Sequence, residues 1–397
     1  MTFPPRAILI APDKFKGSLS ADGVTSALSK GLQRAFPDAR LYEHPIADGG
    51  EGTVEMALRH GFRPVTVDVH GPLSEQVTAT FAVFDDTAVI EMASAAGLAL
   101  LGSAGPSPVT ATRATTYGVG QLISAALDLG VSRIVVGVGG SASTDGGSGA
   151  LVALGATIRD RLGAEVPQGG AGLAAARHLD LSGLDPRARH QAEILIACDV
   201  ESPLTGPQGA ATMFSPQKGA DPATVVELEN ALTNWARCVR SEIGVDLSRR
   251  PGSGAAGGIA FGLAAVLGAQ IAPGIDLLLD ISRFDQAVTE CDLVIVGEGS
   301  LDAQSLMGKG PIGVARRASD LGVPSIAVVG RSLITPDEAR LAGLDAVLSL
   351  SDFVDAKQSM TRTAEVIERL VAERIPALLD GLCPSPDLTR KALDFKK

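Results

Sequence analysis

The chain has 397 residues, more than one hydrophobic core normally holds, so two domains are expected. Hydrophobic residues make up 45% against 20% charged, with 46 glycines and few aromatics, which suits an α/β protein and excludes a disordered one. A net charge of −11, from 34 basic and 45 acidic residues with no basic run interleaved with aromatics, argues against nucleic acid as a partner; an anionic ligand must be met by lysines gathered locally or by a divalent cation.

The first thirteen residues carry one arginine and an apolar run too short for a signal h-region, so nothing directs export and a cytoplasmic protein is expected. Ala7 to Ala11 reads as a fully apolar strand. Val24, Ala27, Leu28, Leu32 and Ala35 then recur at helical spacing, with Ser20 as the cap. A strand near Leu41 to Ile46 precedes a helix from about Gly50 to His60, opened by Asp48-x-x-Glu51 in capping-box style and closed by Gly61. Val77 to Phe84 and Ala88 to Met92 alternate around Asp85-Asp86, the pattern of an antiparallel hairpin. Apolar runs at Ile134 to Val136 and Ile194 to Ala197 read as further strands. Pro251 to Ile275 is uncharged and of transmembrane length, but glycines such as Gly252, Gly257 and Gly262 would each cost about 1 kcal/mol in a helix. The better reading is a glycine-rich loop feeding a buried helix, Ile259 to Leu267, with no membrane association. Strands at Leu293 to Val296, Ser325 to Val329 and Ala346 to Leu350 alternate with helical patterns at Ile312 to Leu321 and Thr363 to Val371, which implies a parallel sheet.

The economical architecture is α/β: a doubly wound (Rossmann- or flavodoxin-like) parallel-sheet domain, residues 1–66 plus 291–397, interrupted by an inserted mixed α/β domain, residues 67–290, with the ligand cleft between them. Open parallel sheets bind ligands beyond the carboxyl ends of their strands, so the turns after Ala11, Ile46 and Val296 are expected to face the site.

The most informative stretch is Gly137-Val138-Gly139-Gly140-Ser141-Ala142-Ser143-Thr144-Asp145-Gly146-Gly147-Ser148-Gly149. Gly139, Gly140 and Gly146 let a backbone approach an anion, Ser141, Ser143 and Thr144 can donate to its oxygens, and Asp145 can reach a metal ion or the opening of a helix. A sharp strand-to-helix turn capped by Asp145 uses the same residues. Asp13, Lys14 and Lys16 follow the first strand, and Asp48 and Glu51 the second. Glu298 and Asp302 follow the strand ending at Val296, with Lys309 beyond. In the inserted region Asp199 ends a strand and Lys218 lies in Pro216-Gln217-Lys218-Gly219. Carboxylates converging without a cation would repel by about 4 kcal/mol per pair at 4 Å and an effective dielectric near 20, so magnesium is the natural resolution.

Other chemistries lack support. No G-x-x-x-x-G-K-[ST] occurs, and the G-x-G-x-x-G matches at Gly252, Gly254, Gly257 and at Gly308, Gly310, Gly313 do not directly follow a strand. Cys198, Cys238, Cys291 and Cys383 show no CxxC spacing, so neither zinc nor a disulfide framework is indicated. His44, His60, His70, His178 and His190 read as surface or turn residues, and no G-x-S-x-G elbow accompanies them.

Seven segments in order carry a resemblance: APDKFKGSLSA from Ala11, PIADGGEGT from Pro45, GVGGSASTDGGSGAL from Gly137, ACDVESPLTGPQGA from Ala197, FSPQKGA from Phe214, GSGAAGGIAFGL from Gly252 and GEGSLDAQSLMGKGPIGVA from Gly297. With these the chain resembles the bacterial glycerate kinase family over nearly its whole length. The resemblance implies ATP-dependent phosphorylation of D-glycerate, commonly at the 2-hydroxyl, in a cleft between two α/β domains, with Mg²⁺ as cofactor and glycerate and ATP as the small-molecule partners. It departs from the family pattern at Ser300, where many relatives have arginine, at Glu201-Ser202, where Asn-Asn is common, and at Lys14, where serine is frequent. Lys14 can supply charge that Ser300 lacks. On this reading Asp145, Glu298 or Asp302 hold magnesium, Lys16 and Lys309 stabilise the transferring charge, and the 137–149 turn and Lys218 hold phosphates. Asp199 or Asp13 orients the attacking hydroxyl, and Asp48 and Glu51 contact substrate. Phosphorylation at the 3-hydroxyl, a nicotinamide-dependent hydroxy-acid oxidoreductase and a non-catalytic sensor are the alternatives.

Overall fold

The computed structural model describes residues 4–46, 52–303, 305–308 and 310–381. Its strands are, in chain order, β1 (Ala7–Pro12), β2 (Arg40–Glu43), β3 (Arg63–His70), β4 (Gln76–Phe84), β5 (Thr87–Glu91), β6 (Arg133–Gly137), β7 (Thr157–Arg159), β8 (His178–Asp180), β9 (Glu193–Ala197), β10 (Gln270–Ala272), β11 (Leu293–Leu301), β12 (Ser325–Ser332) and β13 (Ala346–Ser349). The chain divides into two compact units, Met1–Ala47 with Leu278–Lys397, and Asp48–Leu277.

The first unit holds a parallel sheet in the order β13-β12-β11-β1-β2. Numbered by the unit's own strands this is 2-1-3-4-5, the flavodoxin-like doubly wound order. Ile8, Ile10, Leu293, Ile295, Ile326 and Val328 alternate along three strands and form one core with Val24, Leu28 and Leu32 of the helix Ala21–Ala35 and Val366, Ile367, Leu370 and Val371 of the helix Thr363–Gly381. The first of these helices is capped as expected, Ser20 Oγ accepting from Gly23 N at 3.2 Å. Leu9, Val294, Val296, Ala327 and Val329 lie on the opposite face and are fully buried as well, so the sheet is covered on both sides.

The second unit has a mixed sheet, β10-β9-β6-β5-β4-β3, parallel from β10 to β5 and antiparallel from β5 to β3, with a small β7-β8 ladder beside it. The units meet along the chain at 47/48 and 277/278, not at 66/67 and 290/291. The physical reason is that β3 pairs with β4 along its whole length, Arg63 to His70 against Val83 to Gln76, and so belongs to the second sheet from its first residue. The helix Thr53–Arg59 begins at Gly52, which has φ +98° and supplies no side-chain cap; Asp48 and Glu51, expected to form a capping box there, lie outside the described residues. The 22-residue helix Pro222–Ile243 escaped the sequence reading, although Asp221 caps it and Leu228, Leu232, Trp235 and Val239 give it a continuous buried stripe.

The uncharged segment after Pro251 becomes a glycine turn feeding a helix. Ala256, Gly257 and Gly258 adopt left-handed conformations, and the regular helix runs from Ile259 to Leu267. Among the described residues no helix is long and apolar enough to cross a membrane. One histidine differs from expectation: His44 is buried, its Nε2 lying 2.8 Å from Ser282 Oγ and its ring edge-on to Phe284.

At Gly257 (φ +74°) a Cβ would stand 2.0 Å from the Ser143 carbonyl oxygen, whereas at Gly244 (φ +77°) it would meet nothing within 4 Å. Gly257→Ala is therefore expected to destabilise by about 3 kcal/mol or more and Gly244→Ala by about 1 kcal/mol, a difference readable by denaturant unfolding. Equal losses would show that the two segments do not pack backbone to backbone.

Candidate functional site

In an open parallel sheet the ligand crevice forms where the strand order reverses. In the first unit that point is β1/β11, since the chain steps from β1 to β2 on one side and returns to β11, β12 and β13 on the other. Asp13 N donates to Gly297 O at 2.8 Å, which holds the turn after β1 against β11. Phe15 anchors that turn: its side chain is buried in the core and its N–H donates to Leu19 O at 2.9 Å, leaving Lys14 and Lys16 exposed on either side. The backbone at Lys16 passes directly over Gly299, where a Cβ would be 3.3 Å from Lys16 N.

β11 does not end at Val296. It continues through Leu301, pairing Glu298 with Val329 and Ser300 with Arg331. Because Leu293 and Ile295 point into the core beneath the helices Ala21–Ala35 and Thr363–Gly381, alternation turns Glu298 and Ser300 to the opposite face. Asp13, continuing the alternation of β1, points to that face too, and so does Arg331, whose Nε donates to Ser300 Oγ at 3.0 Å. Asp13 Oδ2 lies 3.9 Å from the position a Cβ would take at Gly310, the first residue of the helix Gly310–Asp320. Asp302 follows the end of β11, with Oδ1 accepting from Ser305 N at 3.3 Å.

The Glu298 carboxyl is pushed up to about 7. Burial is the main cause, with Asp13 and Asp302 adding to the shift and a hydrogen bond from Ser305 opposing it. Glu298 Oε1 is buried without a hydrogen-bond partner. Three of the carboxylates read from the sequence thus converge on one strand edge. Arg331 and Ser305 were missed there. Ending the strand of the last third at Val329 hid Arg331 as a strand-end residue, whereas Ser305 has no sequence signal of its own.

The 137–149 turn, in the second unit, is organised differently. Residues 141–150 are all buried, and only Gly139 and Gly140 at the tip reach solvent. Asp145 is fully buried and both its oxygens are occupied: Oδ2 accepts from Thr116 N at 2.8 Å, Thr116 Oγ1 at 2.9 Å and Gly149 N at 3.3 Å, and Oδ1 from Gly147 N at 3.1 Å. Burial raises its pKa, and the donors from Thr116, Gly147 and Gly149 work against that rise. Lys218 is also buried, donating to Ser141 Oγ at 2.8 Å and Ser143 O at 2.5 Å. Trp235 Nε1 donates to Gly146 O at 3.0 Å, and Gly146 N donates to Gly257 O at 3.0 Å.

Most of the turn is buried. Ser143 and Thr144 have no exposed surface, and their hydroxyl oxygens are buried without hydrogen-bond partners. The glycines serve the close packing of two backbones. Among the described residues no three His, Cys, Asp or Glu side chains form a metal-ligand group. Asp145 is not itself the N-cap, a position held by Gly147, but its oxygens accept from Gly147 N and Gly149 N at the opening of the helix Ser148–Ala153. Asp199 Oδ1 accepts from Gly274 N at 2.8 Å, so it ties β9 to the segment after β10. Lys309, like Asp48 and Glu51, lies outside the described residues.

Residues 8–379 match the model of the glycerate kinase family. The chain belongs to that family. It is 42% identical to a glycerate 2-kinase of Escherichia coli K12 over 352 residues, covering 86% of this chain and 90% of the relative. A glycerate kinase of Bacillus subtilis 168 is 41% identical over 366 residues, with 91% and 95% covered. A solved crystal structure assigned as glycerate kinase 2, from Salmonella typhimurium LT2, superposes with a TM-score of 0.79 at 40% identity, covering 94% of this chain and 98% of that one. The enzyme is therefore a kinase, and its architecture is the α/β fold of this family.

Two consequences for stability follow from the buried charges of this kinase. Glu298 has a folded pKa near 7 against an ordinary 4.5, so its burial is free of charge penalty below 4.5 and carries the full penalty above 7. Glu298→Gln is expected to raise the melting temperature at pH 8, in the absence of added metal, and to leave it unchanged near pH 4; a fall at pH 8 would show that the carboxylate is stabilised rather than strained. Burial lowers Lys218 from 10.5 to about 7, against the attraction of Asp145. The unfolded chain then binds more protons between pH 7 and 10.5, so stability rises with pH across that window. The melting temperature of the wild type relative to Lys218→Met is expected to climb from pH 7 to pH 9, and a flat difference would mean that the amine stays charged in the fold.

Proposed function

We propose that this kinase transfers the γ-phosphoryl group of ATP to the 2-hydroxyl of D-glycerate. The observation that carries the reading is the group Asp13, Glu298 and Asp302 at the β1/β11 switch point, flanked by exposed Lys14 and Lys16. The name glycerate 2-kinase of the Escherichia coli relative supports the acceptor and the position. Phosphoryl transfer passes through a loose transition state, so the protein's task is positioning and charge stabilisation. Asp13, against the start of the helix Gly310–Asp320, is suited to orient the acceptor hydroxyl and accept its proton. Lys16, beside the end of β11, is suited to the charge on the phosphoryl oxygens. In the second unit, Gly139 and Gly140 are the part of the glycine turn left open for an anion.

The donor set fits magnesium. This ion takes one or two carboxylates and fills its octahedron with phosphate oxygens and water. Glu298, with one buried oxygen lacking a partner, and Asp302 are the residues that would hold it. Bound there, magnesium supplies positive charge to the phosphate oxygens and relieves the repulsion among the carboxylates. A cytoplasmic setting agrees with the buried Cys238 and Cys291 being free thiols.

An assay coupling ADP release to glycerate, with magnesium present and folding confirmed, tests the reading, and phosphorus NMR identifies the product. Glycerate-dependent ADP and 2-phosphoglycerate are expected, with Asp13→Asn lowering kcat by about 10²-fold or more. No glycerate-dependent ADP sinks the activity, and 3-phosphoglycerate moves the acceptor to the other hydroxyl.

A further inference from the structure

The acceptor in this reading is itself an anion, and the face that would receive it carries three carboxylates. Its carboxylate needs a cation held on that face. We infer that Arg331 is the specificity-determining residue that binds the carboxylate of the acceptor, with Ser300 as the residue that positions it; the inference rests on the glycerate reading above. Register places Arg331 directly beside Ser300, two residues along β11 from Glu298. The Arg331 side chain is exposed, and its Nε is fixed by Ser300 Oγ at 3.0 Å, a bond that directs the guanidinium along the strand end. Neither terminal nitrogen makes an ion pair among the described residues, so two parallel donors remain for a planar carboxylate, the geometry at which arginine exceeds lysine.

Position separates this cation from Lys14 and Lys16. Those two sit on the turn after β1, on the other side of β11 from β12, next to Asp13 and the opening of the helix Gly310–Asp320, where a phosphoryl group is best met. Arg331 stands on the β12 side. A three-carbon hydroxy acid whose hydroxyl faces Asp13 and Glu298 would direct its carboxylate there.

The test compares Arg331→Ala, Arg331→Lys, Ser300→Ala and the exchange Ser300→Arg/Arg331→Ser by steady-state kinetics and by calorimetric binding of glycerate. For Arg331→Ala the expected result is a glycerate KM and Kd raised at least tenfold, an ATP KM within twofold of wild type and an unchanged melting temperature. Arg331→Lys should recover only part of the loss. Ser300→Ala should raise the glycerate KM less than Arg331→Ala does, with kcat held, and the exchange should restore glycerate binding to within a few-fold. An unchanged glycerate KM and Kd in Arg331→Ala, with the wild type active, overturns the inference alone. A raised ATP KM with glycerate binding intact also overturns it, by giving Arg331 to the phosphates. A wild type that neither binds nor phosphorylates glycerate removes the functional reading, and this assignment with it.

Discussion

The constraint on which the candidate site depends is electrostatic: a glutamate in a paired strand is held among other carboxylates at the carboxyl end of an otherwise apolar sheet. Glu298 is half-buried in β11, paired with Val329 of β12 one residue beyond the last pairing of β11 with β1. The tight turn anchored by Phe15 keeps Asp13 in range, and Ser305 holds Asp302. The fold therefore places mutually repelling carboxylates together, with Lys14 and Lys16 on the β1 side of β11 and Arg331 on the β12 side.

The second unit solves a different problem with similar residues. Its two glycine-rich segments, 137–149 and 252–258, pass so close that side chains are excluded between them, and a buried lysine and a buried aspartate knit the turn to its surroundings. Burial works against both charges, opposed at Lys218 by the attraction of Asp145 and at Asp145 by donors from Thr116, Gly147 and Gly149. The result is a rigid loop with a small open tip.

Elements with strong periodicity or an apolar run were legible in the sequence. The strand from Ala7, the helix capped by Ser20, the hairpin around Asp85-Asp86 and the helix from Ile259 all lie where spacing and capping place them. Legibility failed where polar residues continue a strand: Glu298, Ser300 and Arg331 look like loop residues until pairing with a neighbour shows that the ladder persists. The burial of the glycine turn was not legible either. Ser143, Thr144 and Asp145 are residue types that an anion site uses and that a buried turn also uses, and here Asp145 accepts from the backbone N–H groups of Thr116, Gly147 and Gly149. Sequence spacing does not separate those uses, because the difference lies in what packs against the turn. Trp235 and Gly257, which pack against the turn, stand about a hundred residues away in the chain.

The register of β1 carries a consequence for how the polypeptide is made. Ile8 pairs with Leu293, so the N-terminal strand has a neighbour on one flank only until most of the chain has left the ribosome. Closing a loop of that length adds little thermodynamic burden, since the entropy grows only with the logarithm of length. The burden is kinetic: the segment Asp48–Leu277, whose sheet and core are its own, is available to mature first, while an apolar strand waits with an unpaired edge. During synthesis that waiting edge is the molecule's point of exposure to misassembly and to chaperones.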